Sequence, residues 1–264
     1  MNIERFFARP LALWPGFAPI MFDMLRQPSA FVEAEPMARD YRPYDVVDGI
    51  AVIRIAGVLV HDATWSWCET EYSTIWRQIA QALADDTVKA IALHIDSPGG
   101  EVAGCFDLAE KILAARGGKP IWSILDEMAY SAAYAIACVT DHICVPRTGG
   151  TGSIGVIAMH VDMTKALEHW GVKVTTFQFG DRKSDSYPTT PLSEEAQKRF
   201  QADVDVMGEM FVDLVARGRG LSAAKIRNME AATFLGQAGI AQGLADDVLA
   251  PDDAFLKLRA AIDA

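Results

Sequence analysis

The chain has 264 residues, of which 51% are hydrophobic and 22% charged, as expected for a folded protein with one large core or two smaller ones. Its formal net charge of −11, and the lack of any run rich in lysine or arginine, exclude a surface that binds nucleic acid through its phosphates. The four cysteines form no CxxC pair, so the sequence predicts reduced thiols in a cytoplasmic protein, without a metal or a cofactor.

Residues 1–45 are predicted to form an N-terminal arm. They include an apolar run from Pro10 to Phe22, which two further prolines interrupt and Asp23 ends. This run is shorter than the roughly 20 apolar residues that cross a bilayer, and no clean cleavage pattern of a secretory signal follows it. We therefore expect no stable membrane anchor, and we expect the arm to pack on its own subunit or on a neighbouring one.

Residues 46–264 have the pattern of one domain, with no internal repeat and no linker rich in proline, glycine or serine. Short β-branched runs alternate with segments whose apolar residues recur at helical spacing. The predicted strands are 50–60 with a bend at Gly57, 88–95, 121–125, 142–145, 153–159 and 172–179. The predicted helices are 73–84, 101–115, a short one after Ser131, 164–170, and 193–216 with Ser193 as its N-cap.

The order of these elements indicates the fold class. Strands that are separated by helices of this length need right-handed crossovers, which pair the strands in parallel. The sequence therefore predicts an α/β domain with a mainly parallel sheet that helices flank. In such sheets the loops that follow neighbouring strands open at the same edge, where ligands usually bind.

Ser131 lies at the turn between a predicted strand and a short segment of small residues. The N–H groups in the first turn of a helix have no acceptor within that helix, so an oxyanion formed beside this serine would be stabilised there. A serine at this position is also a common helix N-cap, which needs no catalytic role. The other loops of the sheet decide between the two interpretations.

A second loop, 96–100, follows the preceding strand and reads Asp-Ser-Pro-Gly-Gly. Gly99 and Gly100 would let the backbone approach a ligand closely and direct N–H groups at it. A tight turn between a strand and a helix would need glycine equally. Because neighbouring loops of a parallel sheet open on one edge, we expect this turn to lie beside Ser131.

A nucleophilic serine requires a base, for which histidine and lysine are the candidates. None of the five histidines has a companion acid at a recognisable spacing, so a Ser-His-Asp triad has no support in the sequence. Lys183 follows the predicted 172–179 strand in a polar loop. A lysine in such a loop is usually solvated, and it acts as a base only when burial or a nearby positive charge keeps it neutral.

Four ordered segments resemble a known family: Ser-Pro-Gly-Gly at 97–100, Tyr-Ser-Ala-Ala-Tyr at 130–134, Thr-Gly-Ser-Ile-Gly-Val at 151–156, and the Lys183 segment. Over about residues 46–250 the chain resembles the signal peptide peptidase A (S49) family of serine peptidases. It resembles more closely the phage and prophage branch, the capsid-assembly or head-maturation proteases. The phrase Arg-Pro-Leu-Ala-Leu-Trp-Pro-Gly at 9–16 is also similar to that branch.

The resemblance implies a ClpP/crotonase-like fold with repeated ββα units and a Ser-Lys dyad. Ser131 matches the nucleophile of the family and Lys183 its general base. Ser153 matches the hydroxyl that orients the lysine amine. The family resemblance thus assigns these three residues roles that their spacing in the sequence does not indicate.

The family resemblance also implies an oxyanion hole and a set of partners. The backbone N–H of Ala132, with that of Gly100 or Gly99, would form the oxyanion hole. Family members self-associate, so we expect a homo-oligomer. The expected substrates are capsid, portal or scaffold proteins in the cytoplasm of the bacterial host.

Three other functions are weighed against this one. A cytoplasmic peptidase that degrades signal peptides would use the same dyad on other substrates. A crotonase-type acyl-CoA enzyme would share the fold and the oxyanion hole but would need no serine nucleophile. A catalytically silent assembly scaffold would keep the fold and would be insensitive to Ser131→Ala.

Overall fold

The computed structural model describes residues 11–13, 42–62 and 69–263. Strands within these residues form a single sheet. In chain order they are β1 (Leu11–Leu13), β2 (Asp45–Val47), β3 (Ile50–Val60), β4 (Glu69–Glu71), β5 (Ala90–Glu101), β6 (Ile121–Tyr130), β7 (His142–Val145), β8 (Gly150–Gly152), β9 (Thr233–Leu235) and β10 (Asp247–Val248). Cys68 and most of the predicted N-terminal arm lie outside the described residues.

Helices of the described residues connect and cover these strands. They are α1 (Tyr72–Ala84), α2 (Cys105–Ala115), α3 (Ala132–Ala137), α4 (Thr164–His169), α5 (Glu194–Arg219), α6 (Ala223–Arg227), α7 (Gly236–Gln242) and α8 (Pro251–Asp263). Among the described helices, none combines the length and the apolar character that a bilayer crossing needs.

The main strands are ordered β10-β7-β6-β5-β3-β2 across the sheet. All neighbouring pairs from β10 to β3 are parallel, and β2 is antiparallel to β3. Beyond this path, β8 pairs in parallel with β6 and antiparallel with β9, while β1 pairs antiparallel with β5. The prediction of an α/β domain with a mainly parallel sheet and flanking helices is confirmed.

Both faces of the sheet are buried at its centre, which explains the nearly continuous hydrophobic runs of its strands. Successive residues of β5 point to opposite faces. Ile91, Leu93 and Ile95 belong to the larger core, which α1, α2, α3 and α5 cover. Ala90 and Ala92 belong to a smaller core beneath α8.

The predicted turn at 96–100 is wrong, because β5 continues in extended form as far as Glu101. Gly99 and Gly100 pair with Val58 and Leu59 of β3. This pairing requires glycine, since a Cβ on Gly100 would lie 1.8 Å from the Leu59 carbonyl oxygen. The helix predicted to start at residue 101 therefore begins four residues later, after the strand has ended.

Two of the predicted strands are absent from the described residues. The strand predicted at 153–159 is replaced by β8, which ends at Gly152, and residues 172–179 are not in a strand. The alternating apolar residues of the second segment are exposed, with Phe177 at 93% and Phe179 at 102%. Alternation predicted a half-buried strand there, but the described chain provides no neighbouring strand to pair with it.

Other local predictions are confirmed by hydrogen bonds and backbone angles. The bend of β3 falls at Gly57, which has a φ of 71°, and the register with β5 shifts there. Ser193 Oγ accepts a hydrogen bond from Ala196 N at 3.1 Å, so Ser193 is the N-cap of α5 as predicted. The helix ends at Gly220, which adopts the left-handed conformation typical of a helix terminus.

Two glycines of α5 give a matched test of how this helix packs against Cys138. A Cβ on Gly218 would lie 2.3 Å from the Cys138 carbonyl oxygen, whereas a Cβ on Gly208 meets nothing within 4 Å. We expect Gly218→Ala to lower the free energy of unfolding by about 1–3 kcal/mol through overpacking. Gly208→Ala is expected to raise it by about 0.5–1 kcal/mol through helix propensity. Urea unfolding of both variants checks this, and equal effects would contradict the described helix contact.

Candidate active site

Ser131 joins β6 to α3 in a backbone conformation that is rare for any residue other than glycine. Its φ is 54° and its ψ is −120°. Its N–H donates to Gly152 O at 2.9 Å, and its carbonyl accepts from Ala135 N at 2.9 Å. Such strain costs on the order of 1–3 kcal/mol and persists only where the surroundings enforce it. Sharp strand-to-helix turns of this kind present the nucleophilic serine in α/β-hydrolases.

The hydroxyl of Ser131 is buried and unused by the fold. The side chain is 1% exposed, and no group of the described residues forms a hydrogen bond with its Oγ. Although Ser131 is the residue before α3, its side chain makes no capping hydrogen bond. Ser131 thus occupies the N-cap position that the sequence indicated, but its hydroxyl does not cap the helix. An unpartnered buried hydroxyl costs about 1–3 kcal/mol, so stability does not explain a serine here.

Ser153 lies beside Ser131 at the same edge of the sheet. Tyr130, the last residue of β6, pairs with Gly152, the last residue of β8. The residues that follow these two strands are therefore Ser131 and Ser153, on strands that are about 4.8 Å apart. Ser153 shares the φ of 54°, is 4% exposed, and its N–H donates to Ala232 O at 2.9 Å. Both serines thus follow paired strands and share the same positive φ.

The Gly99–Gly100 segment lies at the same level of the sheet. Ser97 pairs with Ala129 of β6, so Gly99 and Ser131 each lie two residues beyond this last pair. Gly99 N donates to Ser97 Oγ at 3.2 Å, and Ser97 Oγ donates to Gly57 O at 2.7 Å. The Gly99 N–H therefore already has a side-chain acceptor, while Gly100 pairs with Leu59 of β3.

The first turn of α3 is fixed by contacts with α2. Ala132 is the first residue of α3, where N–H groups have no intrahelical acceptor. The Cys105 thiol lies 3.7 Å from Ala132 O and forms a hydrogen bond with it. Burial raises the pKa of the Cys105 thiol to about 12, so it stays protonated and serves as a donor. Cys105 therefore supports the turn and is not a candidate nucleophile.

Lys183 is not brought to Ser131 within the described chain. It lies in a series of turns within residues 155–193, which we call the exposed segment, and its own side chain is exposed. Its N–H donates to Gly180 O at 3.2 Å, and no contact joins its amine to Ser131. Within the exposed segment, Met163 N donates to Pro188 O at 2.8 Å.

The histidines do not supply a base in the described structure either. His94 Nε2 lies 3.9 Å from Asp126 Oδ1, and His142 Nε2 lies 2.5 Å from Asp247 Oδ2. His160 Nε2 is buried and forms no hydrogen bond with the described residues. No histidine forms a hydrogen bond with the Ser131 hydroxyl.

One group of described side chains has atoms suited to a metal ion. His142, Cys144 and Asp247 offer ligand atoms within 4.8 Å of one another. Asp247 is already paired with His142 and with Lys257, and burial raises the pKa of the Cys144 thiol to about 12. A metal needs the thiolate, so the donor set fits an ion poorly. The group also lies beside the first residues of β6, whereas Ser131 follows the last.

Sequence reasoning missed a buried acid next to the candidate oxyanion donor. Glu101 directly follows Gly100 and is fully buried. Its carboxylate accepts from His61 N at 2.8 Å, and its carbonyl accepts from Tyr72 Oη at 2.6 Å. These bonds hold the end of β5 in place. A glutamate after two glycines carries no sequence signal, because its burial depends on chain segments that are distant in sequence.

Comparisons with known proteins identify the family. Peptidase family S49 matches residues 114–264. Capsid assembly protease C of Escherichia phage lambda is 36% identical over 230 residues, which cover 86% of this chain and 52% of that protein. Head-tail preconnector protein GP5 of Enterobacteria phage P21 is 35% identical over 287 residues, covering 99% of this chain and 57% of that protein. The chain thus spans little more than half the length of these two relatives.

A bacterial relative extends the similarity beyond phages. Protease 4 of Haemophilus influenzae is 28% identical over 210 residues, which cover 78% of this chain and 33% of that protein. The family match covers more than half of the chain and includes Ser131, Ser153 and Lys183. It confirms the resemblance that the four motifs carried, and this chain therefore belongs to peptidase family S49.

Proposed function

We propose that this chain is a serine endopeptidase whose nucleophile is Ser131. The observation that carries the proposal is the buried hydroxyl of Ser131, which lies in a strained strand-to-helix turn and has no hydrogen-bond partner in the part of the chain that the structure describes. Strain and an unsatisfied polar group are both destabilising, and such features persist mainly at functional sites. Membership of family S49 supports the same reaction class.

The proposed reaction begins when Ser131 Oγ attacks a peptide carbonyl carbon and its proton passes to a lysine amine. The oxyanion that forms would accept hydrogen bonds from the N–H groups of Gly100 and Ala132. Loss of one such donor costs on the order of 3 kcal/mol in the transition state. The C–N bond then breaks as the lysine returns the proton to the leaving amine. Water, activated by the same lysine, hydrolyses the ester on Ser131.

Lys183 is the proposed base, and we propose that it acts on Ser131 of a neighbouring subunit. Lys183 is exposed in its own chain, while Ser131 is buried and its Oγ has no hydrogen-bond partner among the described residues. The exposed segment also carries apolar side chains that need cover, among them Trp170, Phe177 and Phe179. Packing this segment on a second copy would bury these side chains and keep the amine neutral.

Ser153 is proposed to orient that amine. Its position beside Ser131, at the end of the paired strand β8, would allow an incoming amine to contact both hydroxyls. The ClpP/crotonase-like arrangement of ββα units is part of the same proposal. It is supported by the mainly parallel sheet and by two strands, β5 and β6, that carry the oxyanion donor and the nucleophile.

The proposed substrates are proteins of a phage head. Two relatives are named for capsid assembly and for a head-tail preconnector. We infer that this chain cleaves capsid, portal or scaffold proteins during head maturation, in the cytoplasm of the bacterial host. A crotonase-type reaction does not require the strained backbone at Ser131. A silent scaffold does not require its unpartnered hydroxyl.

The substrate proposal is tested by co-expressing the chain with the capsid, portal and scaffold proteins of the same prophage. We expect Ser131→Ala to lower cleavage at least about 10⁴-fold, because it removes the nucleophile. Ser186→Ala in the exposed segment serves as the control and is expected to keep full activity. Product bands are followed by gel electrophoresis and mass spectrometry. Cleavage that persists with Ser131→Ala would contradict the assignment of the nucleophile.

The intersubunit dyad is tested by mixing two inactive variants. Ser131→Ala and Lys183→Ala should each lose cleavage while remaining oligomeric, as measured by light scattering. When they are mixed and allowed to exchange subunits, some sites combine Ser131 of one chain with Lys183 of another, so activity should return. Lys173→Ala, a second exposed lysine of the same segment, is expected to remain active.

The outcomes of the mixing experiment separate three cases. Recovery of activity supports a dyad that two subunits share. If both variants are inactive and no activity returns after verified subunit exchange, the dyad lies within one chain. Near-normal activity of Lys183→Ala alone would remove Lys183 as the base and return attention to a histidine.

A further inference from the structure

The end of β5, next to Ser131, has an edge that β6 does not cover. Gly99 and Gly100 pair with β3 on one side. On the other side, β5 pairs with β6 only as far as Ser97 and Ala129. Beyond that point β6 ends and the chain turns at Ser131 into α3. The edge of β5 from Gly99 onwards therefore lacks its expected neighbour, β6.

This edge is occupied by β1, a segment of the predicted N-terminal arm. β1 pairs antiparallel with β5, and its register places Leu11 opposite Glu101, Ala12 opposite Gly100, and Leu13 opposite Gly99. Because β3 already occupies the other side of β5, β1 lies on the side of β6. It therefore continues the position of β6 in the sheet beyond the point where β6 ends.

That position is where an extended substrate would have to lie. A peptide added to a free strand edge is held by backbone hydrogen bonds, whatever its side chains. Gly99 and Ser131 each lie two residues beyond the last β5–β6 pair, and Gly100 is a candidate oxyanion donor. A substrate strand that pairs with this edge would bring its backbone carbonyls past both groups. With β1 in place, Gly99, Gly100 and Ser131 are all buried.

We propose that β1 is an internal substrate mimic, which occupies the substrate-strand position beside Ser131 and must leave before a protein substrate binds. This inference rests on the proposed peptidase function of Ser131. The segment that occupies the site is Leu11–Leu13, and it pairs with the Gly99–Glu101 edge of β5. The N-terminal arm then regulates access to the site.

The short length of β1 makes the block reversible. A three-residue strand forms few backbone hydrogen bonds, each of modest net worth. The free edge is therefore populated as a minor state, and a substrate binds only to that fraction. Removing the pairing is expected to lower the KM for an unfolded protein substrate by about tenfold, with kcat unchanged.

The test uses the full chain with prolines in β1, since proline removes the backbone N–H that a ladder needs. Alternate residues of an antiparallel strand direct their N–H groups to the partner. Ala12→Pro and the double variant Leu11→Pro with Leu13→Pro therefore cover both sets of N–H groups. Leu11→Gly with Leu13→Gly weakens the strand without proline, and Ala12→Ser is the matched control that keeps every N–H.

Two measurements are made on each variant. Kinetics with fluorescently labelled casein should show the lower KM for at least one proline variant and for the glycine variant, but not for Ala12→Ser. Hydrogen–deuterium exchange should show faster exchange at residues 99–101 in the same variants. An unchanged KM despite faster exchange would overturn the proposed block, as would unchanged exchange in all variants.

A binding measurement separates this inference from the peptidase proposal. A labelled peptide of residues 9–14 is titrated into Ser131→Ala protein with and without Ala12→Pro, and its fluorescence anisotropy is recorded. Tighter binding to the protein with the proline supports β1 as the occupant even if no variant cleaves casein, in which case the proposed function fails alone. Equal or absent binding overturns the inference even if casein is cleaved.

Discussion

The pairing of β6 with β5 on one side and with β8 on the other determines where the candidate catalytic groups lie. The register that aligns Ser97 with Ala129, and Gly152 with Tyr130, brings the ends of three strands to one edge of the sheet. Gly100, Ser131 and Ser153 are distant in sequence but meet at this edge. A slip of one residue in either pair would turn the side chains to the other face.

The fold supports strain at this edge through its backbone hydrogen bonds and its core. Ser131 and Ser153 both have a φ of 54°, and the N–H of each donates to a carbonyl of the adjacent segment. Behind Ser131, α3 is buried along its whole length, and Tyr134 Oη donates to Leu244 O at 2.9 Å. A helix this well anchored holds the preceding turn in place, so the strain at Ser131 is not relieved by local movement.

Local chemistry made much of the fold predictable. The bend at Gly57, the N-cap at Ser193 and the parallel crossovers follow from residue preferences that act over a few positions. The turn at Ser131 was also predictable, because small residues follow an apolar strand. Its strained angles and its unpartnered hydroxyl were not, since both depend on the neighbouring strand β8.

The sequence-based predictions failed where residues distant in sequence determine the local structure. Gly99 and Gly100 suggested a turn, but a close approach to Leu59 makes them part of a strand. Residues 172–179 alternate like a strand, but the described chain offers no strand beside them. The same limit applies to Lys183, which only family resemblance connected to Ser131. Its exposure in a single chain is consistent with a base that a second subunit provides.

The central claim is that Ser131 Oγ is the nucleophile, and covalent labelling tests it most directly. The protein is treated with a peptidyl fluorophosphonate, which reacts with an activated serine, and is then digested and analysed by mass spectrometry. We predict a single adduct on Ser131, formed far more slowly in the Lys183→Ala variant. An adduct on Ser153 or on another residue, in a preparation that cleaves its substrate, would contradict the account.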